Sequence, residues 1–348
     1  MPSDKKIRVV YITDEAPSYD LYKKSGRPKV NWDLGEGKWV GIWGYDWGNV
    51  LGEYVVRNDT DFIYEVRQPD LRVKEVYEHS FGDRITHRLY PAEYDVSNRC
   101  IVSEKLIEDL TEGENRNTII HTSIGSGFIT GFIGSINKGI KVGSFHGEIS
   151  LPIDNFFRLR KNVLNYVRKI FEQSEFRNTI NEYDVITYQS ERGLKKLKKY
   201  YKGRLEPATM GIDFEKFRLL DKAECRKELG LPPDRKILLS VGRINSNKRQ
   251  AELIELMDKL DPDFDFVLVI IGHGLEEEED SLKKVSNALL EKGKVIFTGY
   301  IRGEKLVKYY NSADVFLMTS FSEAGPVSSM EAIACGVPII TTDTGAVC

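Results

Sequence analysis

Short apolar runs, each about a strand long, recur along this chain with helical stretches between them, and that alternation leaves few folds open. IRVVYIT (7–13) and DFIYEV (61–66) begin the series, which continues through NTIIHT, KVGSF, DVITY (184–188) and RLEPAT. KILLSVG, FDFVLVIIG, KVIFTG and DVFLMTS carry it through the second half. The runs are rich in Val and Ile and largely continuous, as expected of strands covered on both faces of a sheet. Between them lie SEKLIEDL, capped by Ser103, a GSGFITGFIGSI helix packing through Gly127 and Gly131, a long helix from Asn155 to Glu172, and ERGLKKLKKYY. NKRQAELIELMDKL, EEEEDSLKKVSNALLEK and GEKLVKYYNS are the helices of the second half. Regular strand and helix alternation predicts a parallel, doubly wound α/β sheet. The pattern pauses around MGIDFEKF (210–217) and then restarts. Two Rossmann-like domains are therefore expected, residues 1–207 and 208–348, with an interdomain cleft as the default ligand site.

Residues 14–50 interrupt the series with Trp32, Trp39, Trp43 and Trp47 among three tyrosines and six glycines, a composition of a long structured loop. Such a loop serves either function or simple packing. Residues 67–99 are mixed and carry no readable pattern. A length of 348 residues suits two domains. The net charge of −3 supplies no basic field to draw nucleic acid, so anion binding must be local. Four scattered cysteines and five histidines show no metal-ligand spacing, which points to a reduced, cytoplasmic protein without a resident metal or cofactor. The N-terminal apolar run is too short for a signal peptide, and the uncharged stretch from Asn117 to Asn137 is too interrupted for a membrane span.

Candidate chemistry gathers in the second half. KILLSVG ends in Gly242-Arg243, and Lys248 follows five residues after that arginine at an expected helix start. Two cations beside backbone N–H groups and a helix dipole suit a pyrophosphate and can stabilise a departing nucleoside diphosphate without a divalent metal. Alone, the same pair also reads as surface residues at a helix start. The stretch TSFSEAGPVSSMEAIACGVP places Glu323 in a loop and Glu331 on a helix, with seven residues between them. A loop carboxylate can accept from sugar hydroxyls, while the backbone along Ala324, Gly325, Pro326 and Val327 turns toward anionic or hydroxyl oxygens. Gly336 stops the helix and Pro338 opens the next strand. Gly272-His273-Gly274 is a tight turn of low specificity, and Asp261, Asp263 and Asp265 sit at the opposite edge from the cleft, where no metal role is assigned.

In their order, SVGRINSNKR, VIIGHG, FTGY and YYNSADVFLMTSFSEAGPVSSMEAIACGVPIITTDTG resemble the donor-binding domain of glycosyltransferase family 4, retaining enzymes of the GT-B fold marked by a Glu-seven residues-Glu motif. The resemblance extends back through GIDFEKF to SFHG and covers roughly residues 117–345. It implies that Arg243 and Lys248 bind the donor diphosphate, Glu323 the donor sugar and Glu331 the ribose. Tyr300 and Ile301 would border the nucleobase, and His146 would approach the transferred sugar. His121, one strand earlier, is left unassigned. The family commonly has glycine directly after the first glutamate, whereas Ala324 stands here with Gly325 next, and its usual glycine pair after the first strand is missing. The family also continues beyond the position of Cys348, so a truncated product or fragment is expected.

The expected activity is metal-independent transfer of a hexose-type sugar, with retention, from a nucleotide diphosphate sugar to the hydroxyl of an acceptor glycan or lipid-linked glycan. A non-catalytic nucleotide-sugar-binding module, an epimerase and a phosphorylase are the alternatives, and the glutamate spacing argues against the last two. Two basic amphipathic stretches, Asn155–Ile170 and Arg192–Arg204, offer a face for peripheral contact with an anionic membrane or a merely solvated surface.

Overall fold

In a computed structural model the described residues are 6–12, 55, 61–70, 73–81, 83–95, 100–113, 117–124, 132–134, 136, 138–145, 179–208, 211–260, 264–323 and 325–345. The chain divides into two compact units, Met1–Tyr188 with Gly193–Pro207, and Gln189–Arg192 with Ala208–Cys348. Residues 14–50, His146, Ala324, the helix expected at 155–172 and most of that expected around Gly127 lie outside the described residues.

The first unit is built on β1 (Ile7–Ile12), β2 (Phe62–Asp70), β3 (Tyr77–Phe81), β4 (Ile85–Pro91), β7 (Thr118–Ser123), β8 (Ile140–Phe145), β9 (Val185–Tyr188) and β10 (Arg204–Pro207). They form one sheet in the order β10-β9-β8-β7-β1-β2-β4-β3, parallel except where β3 runs against β4. A small pair, β5 (Glu93–Asp95) and β6 (Cys100–Val102), leads into α1 (Glu104–Gly113), whose Leu106 amide donates to Ser103 Oγ as the cap predicts. The basic helix α2 (Glu191–Leu197) is shorter than the pattern suggests. Strands β3, β4 and β5 and the second half of β2 all fall in the stretch that has no readable pattern. Arg67, Gln68 and Asp70 on β2 are buried despite their polarity, so hydropathy alone does not mark the strand. Arg67 is held by Glu65 at 3.0 Å and Asp109 at 3.6 Å, a charge pairing that replaces apolar burial.

The second unit carries β11 (Lys236–Val241), β12 (Phe266–Ile271), β13 (Val295–Gly299), β14 (Val315–Met318) and β15 (Ile339–Thr341) in a wholly parallel sheet ordered β13-β12-β11-β14-β15. All six residues of β12 are buried, as a central parallel strand requires. One core cluster gathers Ile237, Leu239, Val269, Tyr310 and Phe316, and the other Leu238, Leu253, Leu268, Ile270 and Leu317, so alternate residues of β11 and β12 feed the two faces. Burying each such aliphatic side chain stabilises the unit by about 1.5–3 kcal/mol.

Helices α3 (Lys222–Leu229), α4 (Gln250–Asp258), α5 (Glu276–Val285), α6 (Asn287–Glu291), α7 (Glu304–Ser312) and α8 (Val327–Ala334) complete this unit. Hydropathy gave no sign of α3, which is mostly charged. It is fixed instead by its ends, with Asp221 accepting from the Glu224 amide at 2.8 Å and Gly230 left-handed at the C-terminus. The single helix expected at 276–292 is two, divided at fully buried Ser286, whose hydroxyl donates to the Lys283 carbonyl. Arg226 on α3 is buried and ties the unit together: it donates to the carbonyls of Ser312, Pro233 and Arg235 and pairs with Asp314 at 2.6 Å.

Candidate donor site in the second unit

The strand order of the second sheet reverses between β11 and β14, and in open parallel sheets ligands bind at the carboxyl ends of the strands where this happens. The residues following these two strands are Gly242-Arg243 and Thr319 to Glu323. The Gly272-His273-Gly274 turn packs on the first of these segments. A Cβ at Gly272, whose φ is +151°, would stand 1.9 Å from the Gly242 carbonyl oxygen, and one at Gly274 would stand 2.3 Å from that of Ile244. The Gly242 amide donates to Ile271 O and the Ile244 amide to His273 O, so the G-x-G triplet serves close backbone approach.

Lys248 lies in a turn, not at a helix start as its position in the pattern suggested. α4 begins at Gln250, and Arg249 before it is left-handed at φ 54°, ψ 38°. The Lys248 side chain runs across Gly242, where a Cβ would meet its Cε at 3.5 Å, and its Nζ donates to Glu323 Oε1 at 2.5 Å. Only part of either side chain reaches solvent, 22% for Lys248 and 14% for Glu323. Around this pair the loop after β14 is stapled to the turn. Phe321 N donates to Asn247 O at 2.7 Å, and Asn247 Nδ2 donates to Ser322 O at 2.9 Å. Thr344 Oγ1 accepts from the Glu323 amide at 2.8 Å, and Thr342 Oγ1 donates to Ser320 O at 2.6 Å.

Arg243 is exposed on the segment that Lys248 crosses, and its carbonyl accepts from buried Gln250 Nε2 at 2.9 Å. Gly325, Pro326 and Val327 lead into α8, whose N-terminus at Pro326 has no side-chain cap. Glu331 lies on this helix and takes a hydrogen bond from the fully buried Tyr310 hydroxyl at 2.6 Å. Tyr300 is 58% exposed, its ring 5.3 Å edge-on from His273, and Ile301 packs against the core. Lys248 and Glu323 are thus joined directly, while Glu331 has Tyr310 as its partner. Tyr310, Asn247, Thr319 and Thr344 were not singled out from the sequence. Only the polar residue ending an apolar strand run hinted at Thr319.

Burial raises the Glu331 carboxyl above its ordinary value, against smaller opposing effects of the Tyr310 hydroxyl and Lys216. A carboxyl raised on folding contributes stability that is present below its unfolded value and lost as pH rises through the folded one. Glu331→Gln, which removes this titration and keeps an acceptor for Tyr310, is expected to melt a few degrees above wild type at about pH 8. The gain should vanish toward about pH 4. Thermal unfolding across that range checks it, and equal melting of the two proteins at the upper end would disprove the burial cost.

In the first unit, polar side chains meet near the carboxyl ends of three neighbouring strands. His121 Nε2 lies 2.6 Å from Ser144 Oγ, which also accepts from Thr187 Oγ1 at 3.0 Å, and Tyr11 stands edge-on to the His121 ring at 5.1 Å. Asp265 of the D-x-D run pairs with Arg235 at 2.7 Å, and Asp261 and Asp263 lie outside the described residues. Among the described residues no cluster of His, Cys, Asp and Glu is disposed to hold a metal ion.

Residues 221–348 match the family described as Glycosyl transferases group 1. An uncharacterized glycosyltransferase of Methanocaldococcus jannaschii is 34% identical over 125 residues, 36% of this chain and 32% of that protein. The alpha-monoglucosyldiacylglycerol synthase of Streptococcus pneumoniae is 29% identical over 231 residues, 64% of this chain and 51% of that one. The matched stretches therefore span about a third to a half of these relatives' own length. Anabaena HepE, solved in complex with UDP-glucose, superposes with a TM-score of 0.63 at 14% identity, covering 97% of this chain and 81% of its own. With two parallel α/β units and this likeness the chain has the GT-B fold, and most of its second unit is similar to the glycosyl transferases of group 1.

Proposed function

We propose that this protein is a retaining glycosyltransferase that moves a sugar from a nucleoside diphosphate sugar to an acceptor hydroxyl. The observation that carries the reading is the Lys248–Glu323 pair at the point where the second sheet reverses its strand order. Lys248 and Arg243 would neutralise the departing diphosphate, supplying charge stabilisation where charge develops without calling on a divalent metal. Glu323, on a loop fixed through Thr344, would accept from hydroxyls of the transferred sugar, with the backbone of Ala324, Gly325, Pro326 and Val327 beside it. Glu331, held by Tyr310, would take the ribose, and Tyr300 and Ile301 would border the base. His146, outside the described residues, would approach the transferred sugar.

HepE crystallised with UDP-glucose makes that sugar nucleotide the first donor to test. The lipid-forming relative in Streptococcus pneumoniae makes a lipid-linked acceptor the first to try. No helix among the described residues is long and apolar enough to cross a membrane. Arg192, Lys195, Lys198, Lys199, Lys202 and Arg204 are exposed together on and after α2, a cationic face suited to peripheral contact with anionic lipid, on the cytoplasmic side in this reading. Nucleotide release across a panel of uridine, guanosine and adenosine diphosphate sugars tests the reading. Turnover with one base, lost in Glu323→Ala, is expected; nucleotide binding without transfer to any glycan or lipid-linked acceptor would instead identify a binding module.

A further inference from the structure

Arg249 is the one non-glycine residue with positive φ among the described residues. A left-handed L-residue costs about 1–2 kcal/mol, so something nearby must hold it. The Thr319 hydroxyl sits across this peptide: its Oγ1 is 2.9 Å from the Lys248 carbonyl oxygen and 3.1 Å from that of Arg249. Its single proton is shared between two carbonyls that flank the strained residue. Thr319 is the first residue after β14, so the hydroxyl is anchored to the sheet itself.

We propose that Thr319 is a positioning residue for the donor diphosphate, clamping the left-handed turn at Arg249 so that the Lys248 ammonium is presented over Gly242 beside Glu323. This rests on the reading of Lys248 as the diphosphate ligand. Without the clamp Arg249 relaxes toward a right-handed conformation, the chain direction at Lys248 changes, and the ammonium leaves its position. Thr319 touches neither diphosphate nor sugar, and its effect passes through the backbone.

The test uses the full chain, with uridine, guanosine and adenosine diphosphate as calorimetric probes and KM and kcat read alongside. Thr319→Val is expected to weaken the nucleotide that wild type binds by about tenfold, the worth of one hydrogen bond, and to lower kcat more than it raises KM, the signature expected for loss of the Lys248 ammonium itself. Thr319→Ser should restore affinity to within about twofold, since its hydroxyl reaches the same carbonyls. Adding Arg249→Gly to Thr319→Val should recover most of the loss, because glycine adopts the left-handed turn without a clamp. If the valine variant does not fold, Thr319→Ala removes the same hydroxyl with less bulk and carries the comparison. Wild-type affinity in Thr319→Val or Thr319→Ala, with affinity lost in Lys248→Ala, would overturn the clamp alone. A loss that neither serine nor Arg249→Gly repairs would do the same, showing a packing defect. Unchanged affinity in Lys248→Ala, or no binding of any probe by wild type, would overturn the donor-site reading and the clamp with it.

Discussion

Replacing Lys248 with alanine is expected to lower sugar transfer by about 10²–10³-fold, the range seen when one preorganised donor to a developing charge is removed. The Lys248 ammonium is partly shielded from water and fixed by a turn that is itself stapled to the loop after β14. In the proposed reading it would meet the departing diphosphate without reorganisation, and most of the loss should fall on kcat. The same change strips Glu323 of its counter-ion at 14% exposure. The variant should therefore also unfold at a lower temperature unless Glu323 is replaced by glutamine with it. Single-turnover kinetics of Lys248→Ala below its melting temperature read the catalytic effect, and thermal unfolding of Lys248→Ala against that double variant reads the stability effect. A Lys248→Ala enzyme with undiminished turnover would remove the diphosphate role.

The largest effect on stability is expected far from this chemistry, at Arg226. Its guanidinium satisfies three backbone carbonyls and the Asp314 carboxylate, which in turn accepts from the Ile237 amide at the start of β11. Arg226→Ala leaves these acceptors buried and a carboxylate short of its partner, at a cost of about 3–5 kcal/mol. Burial alone would raise the Asp314 carboxyl, but the Ile237 amide, Lys222 and Arg226 outweigh it and hold the group below its usual value. A depressed carboxyl contributes stability that is present above its unfolded value and lost as pH falls through the folded one. The gap between wild type and Arg226→Ala should thus narrow in acid. Denaturant midpoints at unchanged slope measure it, and a cost below about 1 kcal/mol would mean that water replaces the arginine.

The parallel sheets were legible because buried strands such as FDFVLVIIG are apolar throughout and need no long-range information. The strand RQPD after Val66 was not, since its burial depends on ion pairs with Glu65 and with Asp109, the latter on another element. The antiparallel β3–β4 pairing lies in the same polar stretch. Lys248 and Glu323 stood out by type and spacing, but their contact could not be seen in a sequence that separates them by 75 residues. Left-handed Arg249 was hidden for another reason: arginine carries no signal for positive φ, and the Thr319 hydroxyl that reaches its carbonyl comes from a segment 70 residues away. Tyr310 was hidden likewise, because a tyrosine in an amphipathic helix reads as core until the carboxylate it faces is known.

The adjacency of β11 and β14 bears on how the second unit comes to exist. These strands become neighbours only after the chain has travelled out through β12 and β13 and returned. Closing so long an excursion is costly in chain entropy before any contact repays it, which makes such pairings slow to form. The β11–β12–β13 half can accumulate local contacts early, whereas the ion pair across the reversal point exists only once the return is complete. A ligand of this site therefore could not guide the search for this fold; it could only bind the finished unit and lengthen its life.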